Sequence, residues 1–223
     1  MVLFFDSGIG GKSIEEAFKR ACPDCTTAYI SDAENLPYGD KTDDFILESV
    51  HKLVNNFVNK SHSVDCLVVA CNTASTLVLD SLRSLYSFPI VGVVPAIKPA
   101  AALSKSGHVA LLATEATAFR AYTGQLIDDF ASSSQVYRFT SHALVHLAES
   151  YYTNPEAFTD WELVEVEIAV ILEQEQIDTV VLACTHFSHF KAFFEGIAPE
   201  ITWVDSVDAV IRQINKVLSL REL

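Results

Sequence analysis

Short, unbroken apolar runs alternating with longer stretches of helical period constrain the fold of this chain more than any other feature. Val2–Phe5, Thr27–Ile30, Cys66–Ala70, Ile90–Val93, His108–Ala113, Gln135–Phe139, Thr179–Ala183 and Ile201–Val204 are strand candidates of four to six residues. Between them, Phe45, Ile46, Val50, Leu53, Val54, Phe57 and Val58 recur at three- and four-residue steps, the signature of an apolar helix face. Leu163, Val166, Ile168, Val170 and Ile171 do so less regularly. A strand that is apolar without alternation is buried on both sides, the condition of a parallel sheet covered by helices. The expected class is α/β, with mainly parallel sheets flanked by helices.

With 223 residues, half of them hydrophobic, the chain can bury one large core or two of about 110 residues each. No apolar run approaches the roughly 20 residues needed to cross a bilayer, and no basic segment leads into an apolar one at the amino terminus. A soluble cytoplasmic protein is expected. Five cysteines, an odd number, do not make the framework of a small secreted domain, so reduced thiols are expected. A net charge of -14 argues against nucleic acid and anionic membrane as partners, although backbone amides can still hold a small anion locally.

Two stretches echo each other. VDCLVVACNTAS at residues 64–75 and IDTVVLACTHFS at residues 177–188 share five of twelve positions, and each has a cysteine where its apolar run stops. VLFFDSGIG at Val2–Gly10 likewise matches the pattern of VALLATEAT at Val109–Thr117. The correspondence suggests two similar α/β halves. In open parallel sheets, ligands gather beyond the carboxyl ends of the strands, where Asp6-Ser7-Gly8, Cys71-Asn72-Thr73, Thr114–Thr117 and Cys184-Thr185-His186 all fall. If the halves face each other, one cleft collects the four clusters, with a cysteine from each side.

Paired thiols suit one reaction class in particular. Inverting a carbon that carries a weakly acidic hydrogen requires a base on one face and an acid on the other, with roles exchanged in reverse. A thiol of ordinary pKa about 8.5 can serve as either near neutrality. Asn72, Thr73 and Thr185 are expected to open helices after the cysteines, and their polar groups suit a substrate carboxylate. A single cysteine of this kind is more often a small buried hydrophobe; the matched pair favours chemistry.

FDSGIGG at Phe5–Gly11, NLPYGDK at Asn35–Lys41, ACNTAS at Ala70–Ser75, IVGVVPAIKPA at Ile90–Ala100, LLATEAT at Leu111–Thr117, LACTHF at Leu182–Phe187 and VDS at Val204–Ser206 together resemble the glutamate racemases of the aspartate/glutamate racemase superfamily. The resemblance runs nearly end to end. It implies a cofactor-independent, metal-free racemase that interconverts L- and D-glutamate and supplies D-glutamate for peptidoglycan synthesis. It also implies two pseudo-symmetric domains, residues 1–94 plus 206–223 and residues 95–205, with the active site in the cleft between them. Cys71 and Cys184 become the two bases, Cys71 acting on the D enantiomer and Cys184 on the L. Asp6 assists Cys71, and His186 and Glu149 assist Cys184. Ser7, Pro37, Tyr38, Gly39, Asn72, Thr73, Thr117 and Thr185 match positions that contact the substrate. The expected partners are glutamate and a second copy of the chain in a homodimer.

The chain departs from the family pattern at Ala116, where glycine is common, and at Phe187-Ser188-His189, where Tyr-Pro and an apolar residue are usual. The amino-terminal extension of the activator-dependent racemases has no counterpart, so regulation by a cell-wall precursor is not expected. His186 favours glutamate over aspartate, since aspartate racemases usually carry a glutamate there. The alternatives are an aspartate racemase or another superfamily member, or a non-catalytic module that binds an amino acid or nucleotide. Against the nucleotide reading, GIGGKS at Gly8–Ser13 fails both glycine-rich fingerprints: Asp6 replaces the first glycine of a phosphate loop, and Ser13 the third of a dinucleotide loop. Cys22-Pro-Asp-Cys25 reads as a turn rather than a redox or zinc motif, and His142 with His146 as a solvated helix face rather than a metal pair.

Overall fold

The computed structural model describes residues 1–60 and 63–219. It contains two compact units, Met1–Val94 with Ser206–Leu223 and Pro95–Asp205. In chain order the elements are β1 (Val2–Asp6), α1 (Lys12–Ala21), β2 (Thr27–Ser31), α2 (Asp43–Lys60), β3 (Cys66–Val69), α3 (Asn72–Leu85) and β4 (Ile90–Gly92) in the first unit. The second holds α4 (Ile97–Leu103), β5 (His108–Ala113), α5 (Glu115–Phe119), α6 (Ala121–Phe130), β6 (Gln135–Thr140), α7 (Ala143–Thr153), α8 (Trp161–Leu172), β7 (Thr179–Leu182), α9 (Lys191–Ile197) and β8 (Thr202–Val204). The final helix, α10 (Val207–Ser219), packs on α1, β3 and β4 of the first unit. All eight expected strands form, with ends shifted by at most one residue.

Both sheets are four-stranded and parallel, in the orders β2-β1-β3-β4 and β6-β5-β7-β8. In the first sheet, strand alternation divides the core in two. Leu3, Phe5, Leu67 and Val69 face α2 and α3, whose Ile46, Val50, Val54, Ala74, Val78 and Leu82 recur every four residues. Val2, Phe4, Cys66, Val68 and Ala70 face the other way, onto Ile14 and Phe18 of α1 and Val210 and Ile214 of α10. Full burial of each large apolar side chain contributes about 1.5–3 kcal/mol. In the second sheet, Val109, Leu111, Ala113, Val181 and Val204 form one face with Ile97 and Ala100 of α4 and Ala118 of α5.

The structure corrects two details and explains a third. Cys22 and Cys25 are not free thiols but are joined as a disulfide. The turn that follows α1 brings their Cα atoms to 5.5 Å, well within disulfide reach. Thr185 opens not an α-helix but a 3-10 segment, Thr185–Phe190, ahead of α9. Three residues per turn place Phe187 and Phe190 on the same side, and both are fully buried. On α8, Val164, Ile168 and Ile171 are buried while Leu163, Val166 and Val170 are exposed, so its irregular apolar period covers two faces, one of them facing solvent.

A partly buried carboxylate just before the inner strand β7 ties the second sheet to the turn after α4. Asp178 accepts from Ser104 Oγ at 2.6 Å, from the Lys105 and Ser106 N–H groups at 2.7 Å each, and from Thr179 Oγ1 at 2.9 Å. Burial pushes its carboxyl pKa up, but these four donors outweigh burial and hold it at about 2. Because the folded-state pKa is depressed, the stabilisation is present above the unfolded value near 3.9 and is lost as pH falls through about 2. Asp178→Asn is expected to lower stability at pH 7 by about 1–2 kcal/mol and to flatten the decline between pH 5 and 2, as read by denaturant melts at both ends.

Candidate active site

Strand order alone selects where each unit should bind a ligand. From β1 the first chain segment crosses to β2 on one side, and later strands lie on the other, so the crevice between the carboxyl ends of β1 and β3 is a topological switch point. The loop Ser7–Gly11 leaves β1 there, and Cys71 follows β3 there. The second sheet repeats the arrangement, with Thr114 after β5 and Cys184 after β7. The ladders even close alike: the Ala70 N–H donates to Phe5 O at 2.7 Å and the Ala183 N–H to Leu112 O at 2.8 Å, one residue before each cysteine.

In the first unit Cys71 is the N-cap residue of α3 and nearly buried, at 5% exposure. Ser7 Oγ lies 3.8 Å from its sulfur. The fully buried Asp6 carboxylate accepts the Ser7 N–H at 2.7 Å and the Gly11 N–H, and so holds the β1–α1 loop in shape beneath the thiol. Gly11 makes that approach possible, since a Cβ there would lie 2.6 Å from Ala70 Cβ. Lys12, which a phosphate loop would present to its ligand, instead pairs with the buried Glu15 at 2.8 Å and lies 3.9 Å over the Tyr29 ring.

Asn72 and Thr73, each 3% exposed, form the first turn of α3, where backbone N–H groups have no helical acceptor. The Asn72 side-chain Nδ2 is buried with no hydrogen-bond partner. A buried, unpaired amide donor costs about 1–3 kcal/mol unless something completes it. Pro37 and Tyr38 are buried and Gly39 partly exposed; Tyr38 belongs to the same apolar cluster as Cys71.

In the second unit Cys184 heads a chain of polar contacts. Its sulfur lies 3.8 Å from His186 Nδ1, and His186 Nε2 is 2.7 Å from Glu149 Oε1 on α7. His186 is 2% exposed and the Glu149 side chain 23% exposed, so the pair is shielded on the histidine side and open on the carboxylate side. A histidine held between a thiol and a carboxylate can accept the thiol proton, the carboxylate stabilising the imidazolium that results. Thr114 caps α5, donating its hydroxyl to Thr117 Oγ1 at 3.0 Å and accepting the Thr117 N–H at 3.4 Å. Thr185 is buried beside Cys184. The rings of His142, the N-cap residue of α7, and His146, on the helix, pack 4.8 Å apart, and among the described residues no three His, Cys, Asp or Glu side chains are grouped to hold a metal. Nor is any helix among them long and apolar enough to cross a membrane.

A family model described as Asp/Glu/Hydantoin racemase matches residues 12–214. The chain belongs to this family. Within it, the chain is 43% identical over 213 residues to the glutamate racemase of Pectobacterium atrosepticum, covering 95% of this chain and 74% of that one. It is 42% identical to the glutamate racemase of Vibrio campbellii, covering 97% and 79% of the two chains. A solved family structure, Escherichia coli glutamate racemase in complex with L-glutamate and an activator, superposes with a TM-score of 0.92 at 40% identity, covering 98% of this chain and 82% of that one. The racemase fold is thus shared across both units.

Two residues of the first unit escaped the sequence reading. Asp32, one position beyond β2, and Ser49, on α2, both contact the Tyr38 region. A carboxylate ending β2, as Asp6 ends β1, was the available signal for Asp32. Ser49 carried none, because its partner lies 17 residues away.

Proposed function

We propose that this racemase interconverts L- and D-glutamate without a cofactor, one thiol removing the α-proton while the other returns a proton to the opposite face. The observation that carries the reading is the equivalent placement of Cys71 and Cys184 at the switch points of two like sheets, each with a polar partner beside the sulfur. A binding module needs no matched proton donors. In the L-to-D direction, the Cys184 thiolate takes the α-hydrogen and becomes a thiol, and the carbanion takes the proton of the Cys71 thiol; the reverse direction exchanges the roles. His186 and Glu149 draw the proton from Cys184. Asp6 supports Cys71 through the loop that carries Ser7. The orphaned Asn72 amide and the amino terminus of α3 suit the substrate carboxylate.

Glutamate is the proposed substrate because relatives at 42–43% identity are glutamate racemases and the related E. coli enzyme was solved with L-glutamate bound. Supply of D-glutamate for peptidoglycan is the role this reading assigns. Incubation with L-glutamate and L-aspartate in deuterated water, followed by chiral chromatography and mass spectrometry, tests it. D-Glutamate carrying one α-deuterium is expected, insensitive to chelator and exhaustive dialysis and abolished by thiol alkylation. Conversion of aspartate alone would overturn the substrate, and rescue of a dialysed enzyme by a metal or cofactor would overturn the two-thiol chemistry.

A further inference from the structure

We infer that Asp32 is a positioning residue for the Cys71 half of the reaction, acting through Tyr38, whose hydroxyl it holds so that the ring stays packed beside the thiol. Asp32 is 7% exposed and its carboxylate is fully engaged within the first unit. Oδ1 accepts the Asn35 side-chain amide at 2.8 Å; Oδ2 accepts the Tyr38 hydroxyl at 2.8 Å and the Ser49 hydroxyl. Its own N–H donates to Asp6 O at 3.2 Å, which ties the clamp to the strand end that also carries the Ser7 loop. Asp32 thereby joins β1 through its backbone N–H, and the segment leading to Pro37–Gly39 and α2 through its carboxylate.

The clamp explains why a tyrosine stands at position 38. Its ring is 1% exposed, in the apolar cluster that includes Phe5, Cys71 and Ala74. A buried phenol requires a partner for its hydroxyl, and Asp32 supplies it. Burial foremost, and then the hydrogen bond to Asp32 and the charges of Asp32 and Cys71, push the phenol pKa well above its ordinary value, against a lowering influence from Ser49. Tyr38 therefore remains a neutral donor committed to Asp32, and a Cys71 thiolate faces no competing phenolate. Releasing the hydroxyl lets the ring and its flanking residues shift beside Cys71, and displacements near 1 Å at a reacting group cost about 10²-fold in rate.

The inference rests on the two-thiol reading, and its test separates the two. Enantiomers have equal free energy, so racemisation must lose kcat/KM equally in both directions whichever half is damaged. Elimination of chloride from a β-chloro substrate analogue needs only the abstracting thiolate: the C–H electron pair expels chloride, the thiol keeps the proton, and each enantiomer reports one cysteine. Asp32→Asn is expected to slow elimination from the D enantiomer, served by Cys71, by about 10- to 100-fold, with kcat falling more than KM rises, and the L enantiomer by less than about twofold. Tyr38→Phe keeps the ring and removes only the hydroxyl; it should reproduce the asymmetry, and the double variant should lose no more than the worse single variant. Equal losses for both enantiomers, additive losses in the double variant, or an unaffected Tyr38→Phe would overturn the role of Asp32. Failure of the unmodified enzyme to eliminate from either enantiomer would overturn the two-thiol reading, and this inference with it.

Discussion

Cys71→Ser and Cys184→Ser are each expected to lose glutamate racemisation by at least about 10²- to 10⁴-fold, the range spanned by a single general acid or base. An alcohol is a far weaker acid than a thiol, so serine at either position is almost never the required base near neutrality. Under the proposed two-thiol mechanism each direction uses both groups, so neither variant should retain one direction. Elimination from the β-chloro analogue behaves differently, since only the base is needed. Cys71→Ser should still process the L enantiomer and lose the D, and Cys184→Ser the reverse. Measuring halide release from each enantiomer with each variant yields four rates whose pattern checks the assignment. If both variants kept the same enantiomer, or if Cys184→Ser racemised glutamate normally, the paired cysteines would reflect shared packing at two strand ends and no more.

His186→Asn is expected to reduce elimination from the L enantiomer by about 10²-fold and to leave the D enantiomer within about threefold. The imidazole sits 3.8 Å from the Cys184 sulfur and 2.7 Å from Glu149, so under the proposed mechanism its loss removes the proton acceptor and disconnects the carboxylate. The L-specific rate–pH profile should change shape, because the imidazole beside the sulfur is gone. Glu149→Gln should lower the L-specific rate less, since the imidazole remains but its protonated form is no longer paired with a charge. A rate–pH curve for the L enantiomer that is indifferent to both substitutions would show that the chain of contacts is structural.

Much of the fold was legible without coordinates. Unbroken apolar strands such as Cys66–Val69 and Thr179–Leu182 require cover on both faces, and the helices between them display buried residues at four-residue steps, as Ile46, Val50 and Val54 do on α2. Patterns of this kind are local, and they place each cysteine at the end of a strand. The repeated phrase around Cys71 and Cys184 carried the further message that two strand ends occupy equivalent places, as the common strand order of the sheets has them.

What the linear pattern left open were contacts between residues far apart in sequence and the directions in which polar groups point. Glu149, an unremarkable acid on a helix face, meets His186 across 37 residues because α7 packs against the 3-10 segment after β7. Asp6 points both carboxylate oxygens at backbone N–H groups of its own loop, a geometry set by the tight β1–α1 turn that Gly11 permits. Tyr38 lies in a motif implied to contact substrate, yet its hydroxyl belongs to Asp32 and its ring to the core. Cys22 and Cys25, read as separate thiols, are bonded once the turn after α1 is formed. The sequence by itself determined the periods of the elements, the strand ends and the residue types placed there, because backbone geometry converts spacing into faces over a few residues. Only the tertiary structure decided which donor each carboxylate meets, because hydrogen bonds act over about 3 Å and their partners are brought within that distance by the packing of whole elements.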